Sequence, residues 1–327
     1  LSQLVCLGRH TVAGLLCASG RQFSDWTADY RLFSRERFCK DALFDVVRRG
    51  VLAELPGGEP LVVGLDDTLL PKRGTRIPGV KWRKDPMGPP FQVNLLRAQR
   101  VLQMSAAVPQ HEGPSLARMI PIDFCHAPTP AKPRKGSPAE EWDAYHQEAS
   151  AANLPALAAR RVRALRDKLD EDGHPDLDLW IVADGGYTNR HFLKDIPPGV
   201  IVIGRIRGDA RLYYPPSAER LPGTRGRKRV YGEQAGTPEG ARQDEAVPWK
   251  TVKVYAAGKV HDFRVKELAP LLWRASGATP LRLVVIAPLA YRPRKKSRLL
   301  YRKPAYLISN DLATPIEKII QAYVWRW

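Results

Sequence analysis

The stretch Leu61-Val62-Val63-Gly64-Leu65-Asp66-Asp67-Thr68 decides how the chain is read. Leu61 to Leu65 carries no polar side chain, the composition of a short strand covered on both faces. It runs directly into two carboxylates and a hydroxyl. A second stretch has the same construction: Leu177 to Ala183 is a mostly apolar strand pattern that ends in Asp184-Gly185-Gly186. A carboxylate at the end of a buried strand is costly unless it is paired or binds a metal. Two of them on neighbouring strands can hold magnesium, a hard ion that prefers oxygen ligands. Two such ions about 4 Å apart can activate water and stabilise the leaving oxygen of a phosphodiester. Taken singly, each Asp equally suits the start of a turn or a helix cap.

Around these two stretches the pattern reads as follows. Leu4, Leu7, Val12, Leu15 and Leu16 give a helical stripe that Gly20 ends, and Trp26, Tyr30, Phe33, Phe38, Leu43, Phe44, Val47 and Val51 give a second. Pro56-Gly57-Gly58 closes this part, so residues 1–56 read as a small helical domain, either a DNA-reading module or a packing cap. Residues 92–95, 99–108 and 119–124 read as strands. Residues 127–138 are a Pro/Lys/Arg linker, and Leu154, Leu157, Val162, Leu165 and Leu169 lie on one helix face. Val200 to Ile203 is a further strand. Residues 57–207 therefore form the first part of a core. Residues 208–280, rich in Gly, Pro and basic residues with β-type stretches at 251–255 and 261–265, read as an insertion. Residues 281–327 return to the core with strands at 281–287 and 306–309. A final helix over 314–327 has Thr314 as N-cap and Pro315 at its first position.

The chain has 327 residues, 44% of them hydrophobic and 26% charged, which is globular and soluble in composition. No apolar run reaches the roughly 18–20 residues of a membrane span. Arg9 and His10 interrupt the first apolar stretch, which excludes a signal peptide, and the start at Leu1 suggests a fragment or trimmed product. Lys and Arg number 52 against 34 Asp and Glu, a formal charge of +18. Residues 201–310 hold 23 basic and 8 acidic residues, and residues 72–84 hold six basic residues and no acid. So uneven a charge points to a polyanion, most often nucleic acid. Cys6, Cys17, Cys39 and Cys125 form no CxxC pair, which argues against a zinc ribbon, and read as buried thiols in a reducing cytoplasm. His126 beside Cys125 is not by itself a metal site.

The β-β-β-α-β-α-β order is that of an RNase H-like domain. The chain resembles the DDE-type insertion-sequence transposases, of the cut-and-paste group with a β-rich insertion before the last catalytic helix. The resemblance rests on LVVGLDDTLLPKRG at 61–74, IVADGGYTN at 181–189, YLISND at 306–311 and Tyr323-Val-Trp-Arg326-Trp at the end. It implies an α/β fold: a mixed sheet with flanking helices, an N-terminal helical domain and the insertion. The family's first acid, in Asp-x-Thr, maps onto Asp66 with Thr68. Asp67 is the fallback, since adjacent strand residues point to opposite faces. The second acid maps onto Asp184. The third is a Glu in a pattern like Tyr-x-x-Arg-x-x-x-Glu, which Tyr323 and Arg326 begin and which would place the Glu three residues beyond Trp327. Glu317, on the same helix, falls about two turns early.

The resemblance implies two Mg²⁺ ions (Mn²⁺ substituting) on Asp66 and Asp184. It implies cutting of transposon ends by hydrolysis, joining of the freed 3′-hydroxyl to target DNA, a homodimer on the DNA, and a cytoplasmic, nucleoid-associated protein. It places Tyr323 and Arg326 near the scissile phosphate, where the guanidinium fork suits phosphate. Lys72 and Arg73, the cluster Arg225, Arg227, Lys228 and Arg229, and the cluster Arg294, Lys295 and Lys296 suit the DNA backbone and read little sequence. Trp82 and Trp249, set among basic residues, suit stacking on a base or ordinary packing. Two other readings remain: another RNase H-like DNA endonuclease, and a truncated, inactive DNA-binding derivative.

Overall fold

The computed structural model describes all residues except 1, 9, 36, 73, 75, 90, 92, 111–116, 218–227, 257, 293–296 and 327, and the backbone alone of Phe33. The chain divides into two compact units, residues 1–48 and residues 49–327. The first holds helices α1 (Ser2–Val5), α2 (Val12–Ala18) and α3 (Thr27–Ser34). Thr11 caps α2 by accepting from the Gly14 amide at 3.0 Å, and Gly20 follows its end at φ +75°. Helix α4 (Lys40–Glu54) runs across the boundary.

The second unit is mixed α/β, built on one large mixed sheet. Its elements are β1 (Leu61–Pro71), β2 (Lys81–Lys84), β3 (Leu95–Pro109), β4 (Ala117–His126), α5 (Ala139–Ala151), α6 (Leu154–Glu171), β5 (Leu179–Ala183), α7 (Arg190–Leu193) and β6 (Val200–Arg205). Then come β7 (Leu212–Tyr213), β8 (Gln234–Gly236), α8 (Pro238–Gln243), β9 (Lys250–Ala256), β10 (Lys259–Trp273), β11 (Leu281–Ile286), β12 (Ala290–Tyr291), β13 (Leu300–Tyr301), β14 (Ala305–Ser309) and α9 (Ile316–Trp325). The sheet order is β2-β3-β1-β5-β6-β14-β11-β10-β7-β8, with β4 on β3 and β9 on β10. β1, β5 and β6 are parallel, and the other pairings are antiparallel. Residues 208–280 do not stand apart from this sheet. β10 pairs with β11 from Val265↔Ile286 to Leu271↔Leu281, so that segment extends the sheet within the same compact unit.

Period-two alternation assigns each strand residue to a face. Leu61, Val63 and Leu65 pack with Val162, Leu165 and Leu169 of α6. Val62, Trp180 and Val182 pack on the opposite face with Ile316, Ile319 and Ile320 of α9. The helix stripe expected over 154–169 is therefore the buried face of α6. Asn310 follows the end of β14 and takes the place of its ladder. Its side chain accepts from the Val202 amide at 2.7 Å and donates to the Val200 carbonyl at 2.9 Å.

Three expectations need correction, and one helix was not expected. β1 does not end at Leu65: β3 pairs with it antiparallel from Val63↔Ala106 to Pro71↔Ala98, so Asp66, Asp67 and Thr68 lie within the strand. α9 begins at Ile316 with Pro315 at the N-cap, not with Thr314. The Asp311 carboxylate shapes that turn instead, accepting from the amides of Ala313 at 2.8 Å and Thr314 at 3.2 Å. Residues 139–151, which carry no clear apolar stripe, form α5, a helix with no buried residue. Among the cysteines only Cys125 is buried, while Cys17 and Cys39 are exposed and Cys6 is between the two.

Ile320 is fully buried between α9 and the sheet. Ile320→Ala should lower unfolding stability by about 2–5 kcal/mol through lost transfer energy and the cavity left behind. Urea unfolding of the variant against the wild-type chain measures it.

Candidate active site

The parallel ladder between β1 and β5 ends at Leu65↔Ala183. The next residue in each segment is an acid, so the backbone sets Asp66, inside β1, beside Asp184, which follows β5, where their parallel pairing ends. By parity Asp66 shares the face of Val62 and Gly64, where α9 lies. Asp67 shares the face of Leu65, where α6 lies. The hydrogen bonds agree. Asp67 accepts from the Tyr187 hydroxyl at 2.9 Å, and Tyr187 belongs to the apolar cluster on the α6 side.

Each acid of the pair uses one oxygen locally. Asp66 Oδ1 accepts from the Asp67 amide at 2.9 Å, and Asp184 Oδ1 accepts from the Gly186 amide at 2.5 Å. The two Oδ2 atoms face one cation. Arg326 NH2 lies 3.4 Å from Asp66 Oδ2 and 3.7 Å from Asp184 Oδ2. The two oxygens are thus separated by no more than the sum of those distances. The Arg326 side chain is only 4% exposed, whereas the carboxylates are 58% and 46% exposed. The pair is open to solvent and the guanidinium is not.

Two glycines clear the space. A Cβ on Gly64 would stand 2.8 Å from Met119 Cε, so the bare strand lets the Met119 methyl close over it, while Arg326 Cγ at 3.6 Å would remain at ordinary contact distance. A Cβ on Gly204 would overlap Thr188 Cγ2, a clash that a stiff β-branched side chain cannot relieve. That close approach lets the Thr188 hydroxyl donate to the Arg205 carbonyl and pins the turn after Asp184. The Tyr187 amide closes the same turn on the Asp184 carbonyl at 3.1 Å. Asn189 then caps α7 by accepting from the His191 amide at 3.0 Å.

Beside Asp184 a cavity of about 470 Å³ is lined by Gly185, Arg205, Arg207, Lys303 and Tyr306 among others. Arg205 ends β6, the next parallel strand, and Lys303 precedes β14. Arg207 pairs with Asp209 at 2.7 Å, and both side chains are well exposed. The opening next to the acid pair is therefore basic.

Residues 1–277 match the family described as DDE superfamily endonuclease. The chain belongs to that family. The mixed α/β architecture, with its large mixed sheet and flanking helices, is consistent with the RNase H-like fold of DDE enzymes. Membership implies a DNA substrate and a divalent metal. A comparison with curated proteins found no match. The family match ends before α9, so the placement of Arg326 stands on geometry alone.

Other residues singled out from the sequence lie elsewhere. Tyr323 is 8% exposed and packs in the apolar cluster with Ile319 and Ile320. Glu317 lies in the first turn of α9, about 13 Å along the helix from Arg326. Lys72 follows β1, about 20 Å along the strand from Asp66, with its amide on the Arg97 carbonyl at 2.9 Å. Lys228 and Arg229 are exposed. Arg73, Arg225, Arg227, Arg294, Lys295 and Lys296 lie outside the described residues. Trp249 is flanked by the charged groups of Lys266 at 4.8 Å and Arg264 at 5.2 Å from its ring centroid, which favours packing over base stacking. Trp82 is 66% exposed on β2. Among the described residues no group of three His, Cys, Asp or Glu side chains is arranged to hold a metal, and no helix is long and apolar enough to cross a membrane.

Sequence reading missed Tyr187, Arg205, Arg207 and Lys303. The signal for Arg205 was available: it ends an apolar strand next to the one carrying Asp184, and ligands of open α/β sheets gather at the carboxyl ends of parallel strands. Tyr187 has its hydroxyl pKa pushed far above the ordinary 10.0, by burial first and then by the charges of Asp67, Asp66 and Asp184 and the bond to Asp67. It stays protonated and donates. In the unfolded chain it ionises near its ordinary value, so its contribution is complete below about pH 10 and falls as pH rises further, by up to about 1.4 kcal/mol per unit. Tyr187→Phe should flatten that alkaline loss, measured by urea unfolding at about pH 8 and about pH 11.

Proposed function

We propose that the chain is a DNA transposase of the insertion-sequence type. It cuts transposon ends and joins the freed 3′-hydroxyl to target DNA, with Asp66 and Asp184 as the carboxylates that hold magnesium. The observation that carries this reading is the single guanidinium nitrogen facing Oδ2 of both acids. Two exposed carboxylate oxygens converging on one positive charge form a donor set that suits a hard divalent cation. When bound, magnesium would lower the pKa of water and offset charge on the phosphate oxygens. Asp66 is preferred to the fallback Asp67 because it shares a face with Asp184, while Asp67 faces the α6 side and bonds to Tyr187.

The protein's own groups supply the rest. Gly186 and Asp67 amides fix one oxygen of each acid, leaving the other aimed at the opening. Arg326 compensates the like charges of the pair. Its side chain is hardly exposed, so its part is to hold the two acids together at the site where they would bind the metal. Arg205, Arg207 and Lys303 line the approach on the Asp184 side and hold the strand by its backbone. Pairing of two ends calls for a homodimer on DNA.

Two measurements test the reading together. In Mn²⁺ binding followed by electron paramagnetic resonance, Asp66→Asn and Asp184→Asn should each weaken affinity at least about tenfold. Asp67→Asn should leave it within about twofold, and Arg326→Gln should tighten it by removing the competing cation. In nicking of supercoiled plasmid, Asp66→Asn and Asp184→Asn should lower the metal-dependent rate at least about a hundredfold while filter binding of duplex DNA persists. Loss of cleavage with Asp67→Asn alone would put the site on the other face of β1. Joining of a pre-cut end to plasmid separates the transposase from a nuclease that only cuts.

A further inference from the structure

Between β11 and β14 the chain leaves the large sheet. β12 and β13 pair only with each other, Ala290↔Tyr301 and Tyr291↔Leu300, among the described strands. All four strand residues are exposed. Tyr301 is 66% exposed, and Tyr291, Leu299 and Leu300 are each exposed by more than a third. A two-stranded ribbon that joins no larger sheet is marginal in water, and one that also shows two tyrosines and two leucines to solvent gains little by folding back on itself. Its charge is one-sided. Residues 288–303 contain seven Lys and Arg and no acid. Of these Arg292, Arg298, Arg302 and Lys303 are described and exposed. Arg302 lies over the Tyr291 ring at 5.4 Å, and Arg292 donates to the Ser297 carbonyl at 3.1 Å.

The root of the ribbon is tied to the candidate active site. The Arg302 amide donates to the Leu289 carbonyl at 2.8 Å, and the next residue, Lys303, shares the cavity that Asp184 lines. The ribbon thus starts where the scissile strand would lie.

We propose that the β12–β13 ribbon docks in the major groove of the DNA duplex adjoining the scissile phosphate. This rests on the reading of Asp66 and Asp184 as a DNA-cutting site. The major groove, about 12 Å wide, admits a two-stranded β-ribbon on an undeformed duplex, whereas the minor groove, about 6 Å wide, takes one only where the DNA is bent and the groove widened. The all-basic charge matches the phosphates on both walls of the groove. Tyr301 and Leu300 supply the apolar surface that thymine methyl groups and base edges can cover. An acidic protein partner would match the charge equally, but it would give no reason for the ribbon to be rooted beside Asp184.

Disulfide trapping tests this in the full chain. Tyr301→Cys is placed in a background with Cys6, Cys17 and Cys39 changed to Ser. It is mixed with duplexes carrying a thiol tether either on cytosine N4, in the major groove, or on guanine N2, in the minor groove. The expected result is trapping with the N4 tether at least about tenfold above the N2 tether and above the background chain without Tyr301→Cys. In parallel, Arg292→Gln with Arg302→Gln should reduce the slope of log affinity against log salt by about 0.9 for each phosphate no longer neutralised, with Mn²⁺ binding unchanged. Trapping by the minor-groove tether, or by neither tether in a chain that still binds and nicks DNA, overturns the ribbon proposal and leaves the cutting site standing. A chain that binds no DNA overturns both.

Discussion

The parallel pairing of β1 with β5, in the register Leu65↔Ala183, is the constraint on which the candidate site depends. One residue of slip would move every side chain of a strand to the other face. In this register the next residue on each strand is an aspartate on the same face. Two like charges side by side at a sheet end are unfavourable unless a cation lies between them. That need explains features that otherwise look unrelated. α9 must dock with its C-terminal end over the strand ends so that Arg326 reaches both acids. Ile316, Ile319 and Ile320 fix that docking by burial, and Gly64 leaves room for the Met119 methyl beside the arginine stem. On the β5 side, Gly204 lets Thr188 close onto the Arg205 carbonyl, which holds the turn carrying Asp184.

Much of the fold was legible because apolar runs are short and sharply ended. Leu61 to Leu65, Val200 to Ile203 and Leu281 to Ile286 each read as buried strands, and each is one. The helix over α6 was legible for the complementary reason, a clean 3.6-residue stripe. What failed did so where tertiary pairing overrides local pattern. β1 continues six residues past Leu65 because the fifteen-residue β3 offers it hydrogen-bond partners, and nothing in Asp-Asp-Thr says so. β2, inside a run of basic residues, is a strand because β3 pairs with it from Lys81↔Ala98 to Lys84↔Leu95. Residues 208–280 lack the core's rhythm, yet β10 joins the main sheet through β11. A change in composition was visible there, but pairing across the change was not.

The acid pair was legible for a different reason. A strand that ends in a carboxylate is a local signal, and strand parity separates Asp66 from Asp67 without any coordinates. The surroundings of the pair were not local. Tyr187 lies three residues after Asp184, but its bond to Asp67 spans 120 positions. Arg326 was singled out for phosphate, and its place against both acids spans 260 positions to Asp66. Tyr323 had the right spacing from Arg326 for a shared role. Residues three apart on a helix differ by about 60° in direction, so Tyr323 packs into the apolar cluster while Arg326, its side chain also buried, reaches the acid pair.

The charge distribution then acts at two ranges. The excess of basic residues over 201–310 suits attraction of a polyanion to the second unit, and between exposed groups such attraction is screened beyond about 8 Å at physiological salt. It raises encounter and says little about where the strand is cut. The short-range arrangement has the opposite sign at its centre: Asp66 and Asp184 repel phosphate, and only the groups beside them reverse that. Arg326 reverses it from beneath the sheet end and is hardly exposed, so it holds the acids together without presenting a positive surface to DNA. Arg205, Arg207 and Lys303 line the opening beside Asp184. On the proposed reading a backbone held along them would meet Asp184 before Asp66, so the same groups that place the bound strand would also give it a direction.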